Sequence, residues 1–170
     1  MKRLFTIDQQ DYDPSWPRSQ RHTVRAIIKC GDKLAMIHKL KYDYYAFPGG
    51  GIEDGETYHE ALIREVHEET GLRVVPGSIE EFGSALRLNS SHKYGNTIFE
   101  QENFYYTCTA DDIIDAQQLS AGEEEDQFTL EFVYAEDALH KNRYGDHGEE
   151  TGGIWIERES RVLEIYISGK

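Results

Sequence analysis

A chain of 170 residues that is 38% hydrophobic and 12% aromatic is long enough for one domain with a real core and too apolar to stay disordered. Its formal net charge of −14, from 32 acidic and 18 basic residues, repels phosphate backbones and argues against duplex nucleic acid as a partner. The same field repels nucleotides unless cations intervene, so a nucleotide enzyme of this charge needs divalent metal at its site, although solubility alone would also account for the charge.

Residues 1–21 are polar, with Pro14 and Pro17 around Trp16, and read as an irregular arm laid over a domain of residues 22–170. They contain no apolar stretch of signal-peptide length, and no run in the chain approaches the roughly 20 apolar residues of a membrane span. The expectation is a cytoplasmic protein with no membrane partner. His22 to Lys29 reads as a strand with Val24, Ala26 and Ile28 on one face, Gly31-Asp32 as a hairpin turn, and Lys33 to Lys39 as the returning strand. Tyr42 to Phe47 is aromatic and extended, and Pro48 with Gly49, Gly50 and Gly51 interrupts regular structure. Glu56 to Thr70 is the clearest helix, uninterrupted by Gly or Pro and stopped by Gly71. Strands follow at Leu72 to Val75, Ile79 to Leu88 and Thr97 to Thr109, then an acidic loop at Ser120 to Gln127 and a strand at Thr129 to Tyr134. Ala135 to Lys141 reads as a short helix, Asn142 to Gly153 as a polar loop, and Ile154 to Ile167 as helical at its start. Cys30 and Cys108 sit in apolar strand-like runs and read as buried free thiols. Strands before and after one strong helix argue for a mixed sheet packed between helices.

The chemistry concentrates in Gly50 to Leu72. At about 100° per residue, Glu65, Glu68 and Glu69 fall within an arc of about 100° on the helix, while Leu62, Ile63 and Val66 form an adjoining apolar arc. Neighbouring carboxylates repel one another by a few tenths of a kcal/mol per pair even when exposed. A hard divalent cation offsets that repulsion, because Mg²⁺ and Mn²⁺ prefer oxygen ligands. An acidic, solvated helix face is the bland alternative. Arg64, four residues before Glu68 and eight after Glu56, can hold carboxylates in fixed orientation with its planar fork. The three glycines allow a tight bend that brings a backbone carbonyl near such a metal.

Gly50, Glu56, Arg64, Glu65, Val66, Glu68, Glu69, Gly71 and Leu72 fill every specified slot of the Nudix box, and the chain resembles the Nudix hydrolase family on that basis. The resemblance implies an α/β fold, an α/β/α sandwich around a mixed β-sheet. It implies that Glu65, Glu68, Glu69 and the Gly50 carbonyl bind Mg²⁺ or Mn²⁺, and that Glu65 doubles as a base in some members. The implied reaction is water attack on a phosphorus of a diphosphate linkage in a small nucleotide-type substrate. Members often add an acidic residue from outside the box, and Glu124 and Glu125 in the acidic loop are the candidates here, with Glu100 and Glu102 as weaker rivals. Arg25 and Arg87 are candidates for substrate phosphates. Tyr42, Tyr44, Tyr45, Phe47 and Tyr94 supply aromatic faces for a base, of which Tyr45 and Phe47 are the candidates taken for the substrate site. The residues that mark ADP-ribose, dinucleoside polyphosphate and NADH cleavers are missing, which leaves a nucleoside triphosphate first and a nucleotide sugar next. The alternative is a catalytically silent nucleotide-binding module. A P-loop enzyme is excluded because Gly49 to Gly51 leads into Ile52-Glu53-Asp54 rather than Lys-Ser/Thr. Many relatives are dimers, so a homodimer is a further expectation.

Overall fold

A computed structural model describes residues 1–148 and 153–169. From the N-terminus the elements are β1 (Arg3–Asp8), β2 (Arg18–Cys30), β3 (Lys33–Lys39), β4 (Tyr44–Ala46), α1 (Tyr58–Thr70), β5 (Leu72–Val74), β6 (Glu80–Ser90), β7 (Ile98–Cys108) and β8 (Ala110–Ile114). A short α2 (Ala121–Glu125), β9 (Phe128–Val133), α3 (Ala135–Tyr144) and α4 (Gly153–Ser168) complete the chain. The main sheet runs β1-β6-β7-β2-β3-β4, with β9 also paired to β3. It is mixed, because β1 lies parallel to β6 and β2 parallel to β7 while the other pairs are antiparallel. Strand alternation sends Val24, Ala26 and Ile28 to one face, where α1 packs through Ala61, Leu62 and Val66. Ile27, Ala85 and Tyr105 face the other way, against Ala135 and Ala138 of α3 and Val162 and Leu163 of α4. This is the α/β/α sandwich expected from the sequence. Among the described residues no helix is long and apolar enough to cross a membrane.

Residues 1–21 depart from their reading as an irregular arm. Phe5, Thr6 and Ile7 pair with Ala85, Leu86 and Arg87, and residues 18–21 extend β2 beside Ile98 to Gln101. Trp16 and Tyr12 pack on the apolar patch of Leu86, Leu88 and Ile98. Two prolines and a polar composition hid strands whose partners lie far away in sequence. β8 also escaped the reading, since its residues are mostly exposed and it pairs only with the short β5. Of the polar loop expected after α3, residues 149–152 lie outside the described residues.

Helix α1 begins two residues later than the sequence suggested. Thr57 caps it: the Thr57 hydroxyl accepts the Glu60 N–H at 3.2 Å, and the Glu60 carboxylate accepts the Thr57 N–H at 2.8 Å. Glu56 is thereby left outside the helix, free to turn toward it. At the other end Gly71 takes a left-handed conformation with φ of 73° and closes the helix onto the His67 carbonyl at 2.8 Å. Thr57→Ala is expected to destabilise the fold by about 1 kcal/mol. A chemical-denaturation midpoint would show this, with the main sheet unchanged by circular dichroism.

The sheet splits where the glycine-rich loop enters it. β2 pairs with β3 only from Ile28 to Cys30. Beyond that point the free edge of β2 meets residues 48–51: Ala26 N–H donates to the Pro48 carbonyl at 2.8 Å and Val24 N–H to the Gly50 carbonyl at 3.0 Å. Gly49 has φ of 138°, and a side chain there would overlap the Val24 carbonyl oxygen. Only glycine lets the loop lie this close to β2.

Candidate active site

The loop at 48–51 and the buried side of α1 bring the box residues together. Glu69, the next-to-last residue of α1, is 4% exposed and accepts the Gly49 N–H at 2.7 Å. Burial pushes its carboxyl up to about 8, opposed by the charge of Arg25 and the Gly49 hydrogen bond, and reinforced by the charges of Glu123 and Glu65. Glu65 is half-buried, and burial raises its pKa too, against the pull of Arg64. Gly50 lies directly on the Glu65 carboxylate, so that a β-carbon there would overlap its oxygens. The Gly50 carbonyl accepts the Val24 N–H, which uses one of its two lone pairs.

Arg64 ties the group together. Its guanidinium donates to both oxygens of Glu56 at 2.7 and 2.8 Å, to Glu65 at 2.8 Å, to Glu68 at 3.2 Å and to the Gly51 carbonyl at 3.0 Å. Glu56 in turn accepts the Glu53 N–H at 2.9 Å, and the Arg64 hydrogen bonds bring its carboxyl down to about 2. One cation thus links the helix to the loop that precedes it. Among the described residues no three His, Cys, Asp or Glu side chains already converge as a ligand cluster, because Arg64 draws Glu65 and Glu68 to itself. The donor set nonetheless fits a hard divalent cation. It is all oxygen, and Glu69 is a deeply buried carboxyl whose ionised form a bound cation would favour. The residues that would hold the ion are Glu65, Glu68, Glu69 and the Gly50 carbonyl.

A cleft of about 470 Å³ opens beside the start of α4, within the size range of small-molecule sites. It is lined by Arg21 and Arg25 of β2, Lys39 of β3, Tyr44 of β4, Arg87 of β6, Phe99 of β7 and Trp155 of α4, among others. Its basic lining contrasts with the acidic chain as a whole. Arg25 meets the box from this side, donating to the Phe47 carbonyl at 3.2 Å, while its buried Nε has no hydrogen-bond partner among the described residues. Arg21 lies both in the cleft and in the adjoining hollow formed by Gly51, Ile52 and Tyr58. No box carboxylate lines the cleft itself.

The structure sorts the residues chosen from sequence. Arg25 and Arg87 line the cleft; Tyr45 and Phe47 do not. Phe47 is fully buried and meets Tyr105 edge-on with centroids 5.8 Å apart. Tyr45 stacks on His38 at 4.5 Å and donates to Glu131 at 2.6 Å, on the opposite side of the strand. Side chains alternate along β4, so Tyr42, Tyr44 and Ala46 face the cleft and Tyr45 and Phe47 face away. In the acidic segment, Glu124 and Glu125 are exposed, and Glu125 pairs with Lys41 at 2.7 Å. Glu123 is the member whose charge reaches Glu69, although its carboxylate caps α2 by accepting the Ser120 N–H at 2.7 Å, and nothing in the run of four acids marks it out in sequence. Glu100 and Glu102 are engaged by Arg18 and Arg3. Trp155, Phe99, Arg21 and Lys39 were missed for a similar reason: only strand pairing and the packing of α4 gather them.

The model of the NUDIX domain matches residues 20–156. An 8-oxo-(d)GTP phosphatase of Mycolicibacterium smegmatis is 44% identical over 45 residues, 26% of this chain and 14% of its own length. An RNA pyrophosphohydrolase of Legionella pneumophila is 36% identical over 61 residues, 36% of this chain and 34% of its own length. The chain therefore matches about a third or less of either relative. A solved NUDIX hydrolase from Nitrosomonas europaea superposes with a TM-score of 0.62 at 19% identity, covering 89% of this chain and 91% of that one, which establishes likeness of fold.

Proposed function

The chain belongs to the Nudix family, and from that membership we propose that it hydrolyses a diphosphate linkage in a small nucleotide-type substrate, a nucleoside triphosphate before a nucleotide sugar. The observation that carries this is the ordered set around Arg64: one guanidinium orients Glu56, Glu65 and Glu68 beside Glu69, which is anchored to the glycine loop. A bound Mg²⁺ or Mn²⁺ would neutralise phosphate oxygens and make a water more acidic. Glu65 takes the proton of the attacking water, since Arg64 occupies only one of its oxygens. Arg64 keeps that carboxylate aimed, and Glu56 keeps Arg64 in place. Arg21 and Arg25 meet the diphosphate from the cleft, and the half-buried Tyr42 offers a ring to the base. Of the acids outside the box, Glu123 is the one whose charge acts on Glu69, although its carboxylate also accepts the Ser120 N–H at 2.7 Å.

A panel of nucleoside triphosphates, nucleotide sugars and dinucleotides, assayed with Mg²⁺ and with Mn²⁺, tests this. Release of a nucleoside monophosphate together with pyrophosphate or a phosphorylated remainder is expected, and loss of it in a Glu68-Glu69 double substitution. Binding of a panel member without turnover under either metal would overturn the hydrolytic reading in favour of a nucleotide-binding module.

A further inference from the structure

We propose that the end of the cleft away from the box is a second phosphate site, in which Arg87 and Lys93 hold a phosphate carried by the substrate at a distance from the linkage that is cut. The inference rests on the hydrolytic reading above for the position of that linkage. Its foundation is the pairing of the arginines. Among the described residues every arginine outside the cleft has a carboxylate within ion-pair distance, as does Arg158 at its floor. The three without one are Arg21, Arg25 and Arg87, and all three line the cleft. In a chain with 32 acidic residues against 18 basic ones, leaving these three unpaired reserves them for an anion from outside.

The three do not serve one place. Arg21 and Arg25 lie beside the glycine loop, against Gly51 and the Phe47 carbonyl. Arg87 stands in the same cross-strand row as Arg21, through Arg21–Gln101 and Gln101–Arg87 pairing, but two strands away. At a strand spacing of about 4.8 Å the two backbones are roughly 10 Å apart. One diphosphate seated at the loop does not occupy both ends. Arg87 is built to wait for a charge: its guanidinium lies 5.5 Å from the Phe99 ring and 5.6 Å from the Trp155 ring, and its Nε donates to the Asn89 side chain at 2.8 Å. Rings and a neutral amide fix its plane while leaving its terminal N–H groups for a forked contact with phosphate. Burial and the nearby charge of Arg158 bring its pKa down to about 10, against a smaller opposing pull from the charge of Asp11. Lys93, on the turn between β6 and β7, adds a flexible second cation at the same end.

The ligand chemistry is a nucleotide with a further phosphate beyond its sugar. That phosphate can be a 3′-monoester on a mononucleotide or the first diester of a short 5′-phosphorylated RNA. Calorimetry without divalent ions separates this from catalysis, using adenosine 5′-monophosphate, adenosine 3′,5′-bisphosphate and the dinucleotide pApA, none of which contains a diphosphate. The bisphosphate, the dinucleotide or both should bind at least ~10-fold more tightly than the monophosphate, and whichever does so identifies the source. Arg87→Gln and Lys93→Gln should each erase most of that advantage, while Lys33→Gln, outside the cleft, should keep it. Lys93 is exposed, so its variant remains informative even if Arg87→Gln folds poorly. Equal affinities, no binding of either larger ligand, or an advantage that survives Lys93→Gln would overturn the second site. Turnover of the nucleotide panel is a separate readout and can succeed or fail independently.

Discussion

Glu65→Gln and Glu69→Gln should each lower turnover of the preferred nucleotide by at least ~100-fold, in the range seen when a positioned acid or base is removed. The two substitutions differ in what they do to the fold. In Glu69→Gln the new amide oxygen can still accept the Gly49 N–H, and the change removes a carboxyl that burial already penalises. Without metal, Glu69→Gln should therefore unfold at the wild-type temperature or above it. Adding Mn²⁺ should raise the wild-type melting temperature, by binding only the folded state, and raise that of Glu69→Gln little or not at all. Thermal scans with and without Mn²⁺, beside steady-state rates, check both halves. Full turnover in both variants would remove these carboxylates from the chemistry. An equal thermal shift in wild type and Glu69→Gln would remove Glu69 from the ion.

The second large effect separates two adjacent glycines. In Gly49→Ala the new methyl meets the Val24 carbonyl, and the backbone sits at φ of 138°, which side chains rarely tolerate. Neither neighbour can move without parting the loop from β2. Backbone strain of about 1–3 kcal/mol and overpacking of similar size add to a loss of roughly 3 kcal/mol or more. In Gly50→Ala the obstacle is the Glu65 carboxylate, the end of a flexible side chain. It can swing aside at a cost of under about 1.5 kcal/mol, in the range of an off-rotamer side chain, but it then leaves Arg64 and the site. Gly50→Ala should thus stay folded and lose ~100-fold or more in kcat, as expected for a displaced base. Gly49→Ala should lose stability first. Denaturant midpoints and rates on the same preparations distinguish them, and a Gly50→Ala enzyme of normal rate would show that Glu65 need not stay where it is.

The box is legible in the amino-acid sequence because its spacing is local. Glu65, Glu68 and Glu69 share a helix face by periodicity alone, and Arg64 reaches Glu68 one turn on by the same periodicity, while Glu56 reaches Arg64 from the loop before the helix. The helix and most strands are legible for the same reason. What sequence could not supply was parity and register. In the run Tyr42 to Phe47 four of six residues are aromatic, so alternation does not mark which side faces the cleft, and the two aromatics chosen proved to be the ones that do not line it. The row Arg21–Gln101–Arg87 depends on parallel pairing between distant segments. The acidic run offered four carboxylates and no local rule for choosing Glu123.

The placement of β1 bears on how the protein is handled. The family match begins at residue 20, yet the first strand shields the outer backbone of β6, the strand that presents Arg87 and Asn89. Asp11 also holds Ser90 through its N–H and its hydroxyl, at 2.7 Å each. Trimming the chain to the matched span would uncover a row of unsatisfied amides and carbonyls beside the basic cleft, open to strand addition by another molecule. The leading segment is thus a buttress for one wall of the cleft, and its own outer side becomes the border of the sheet.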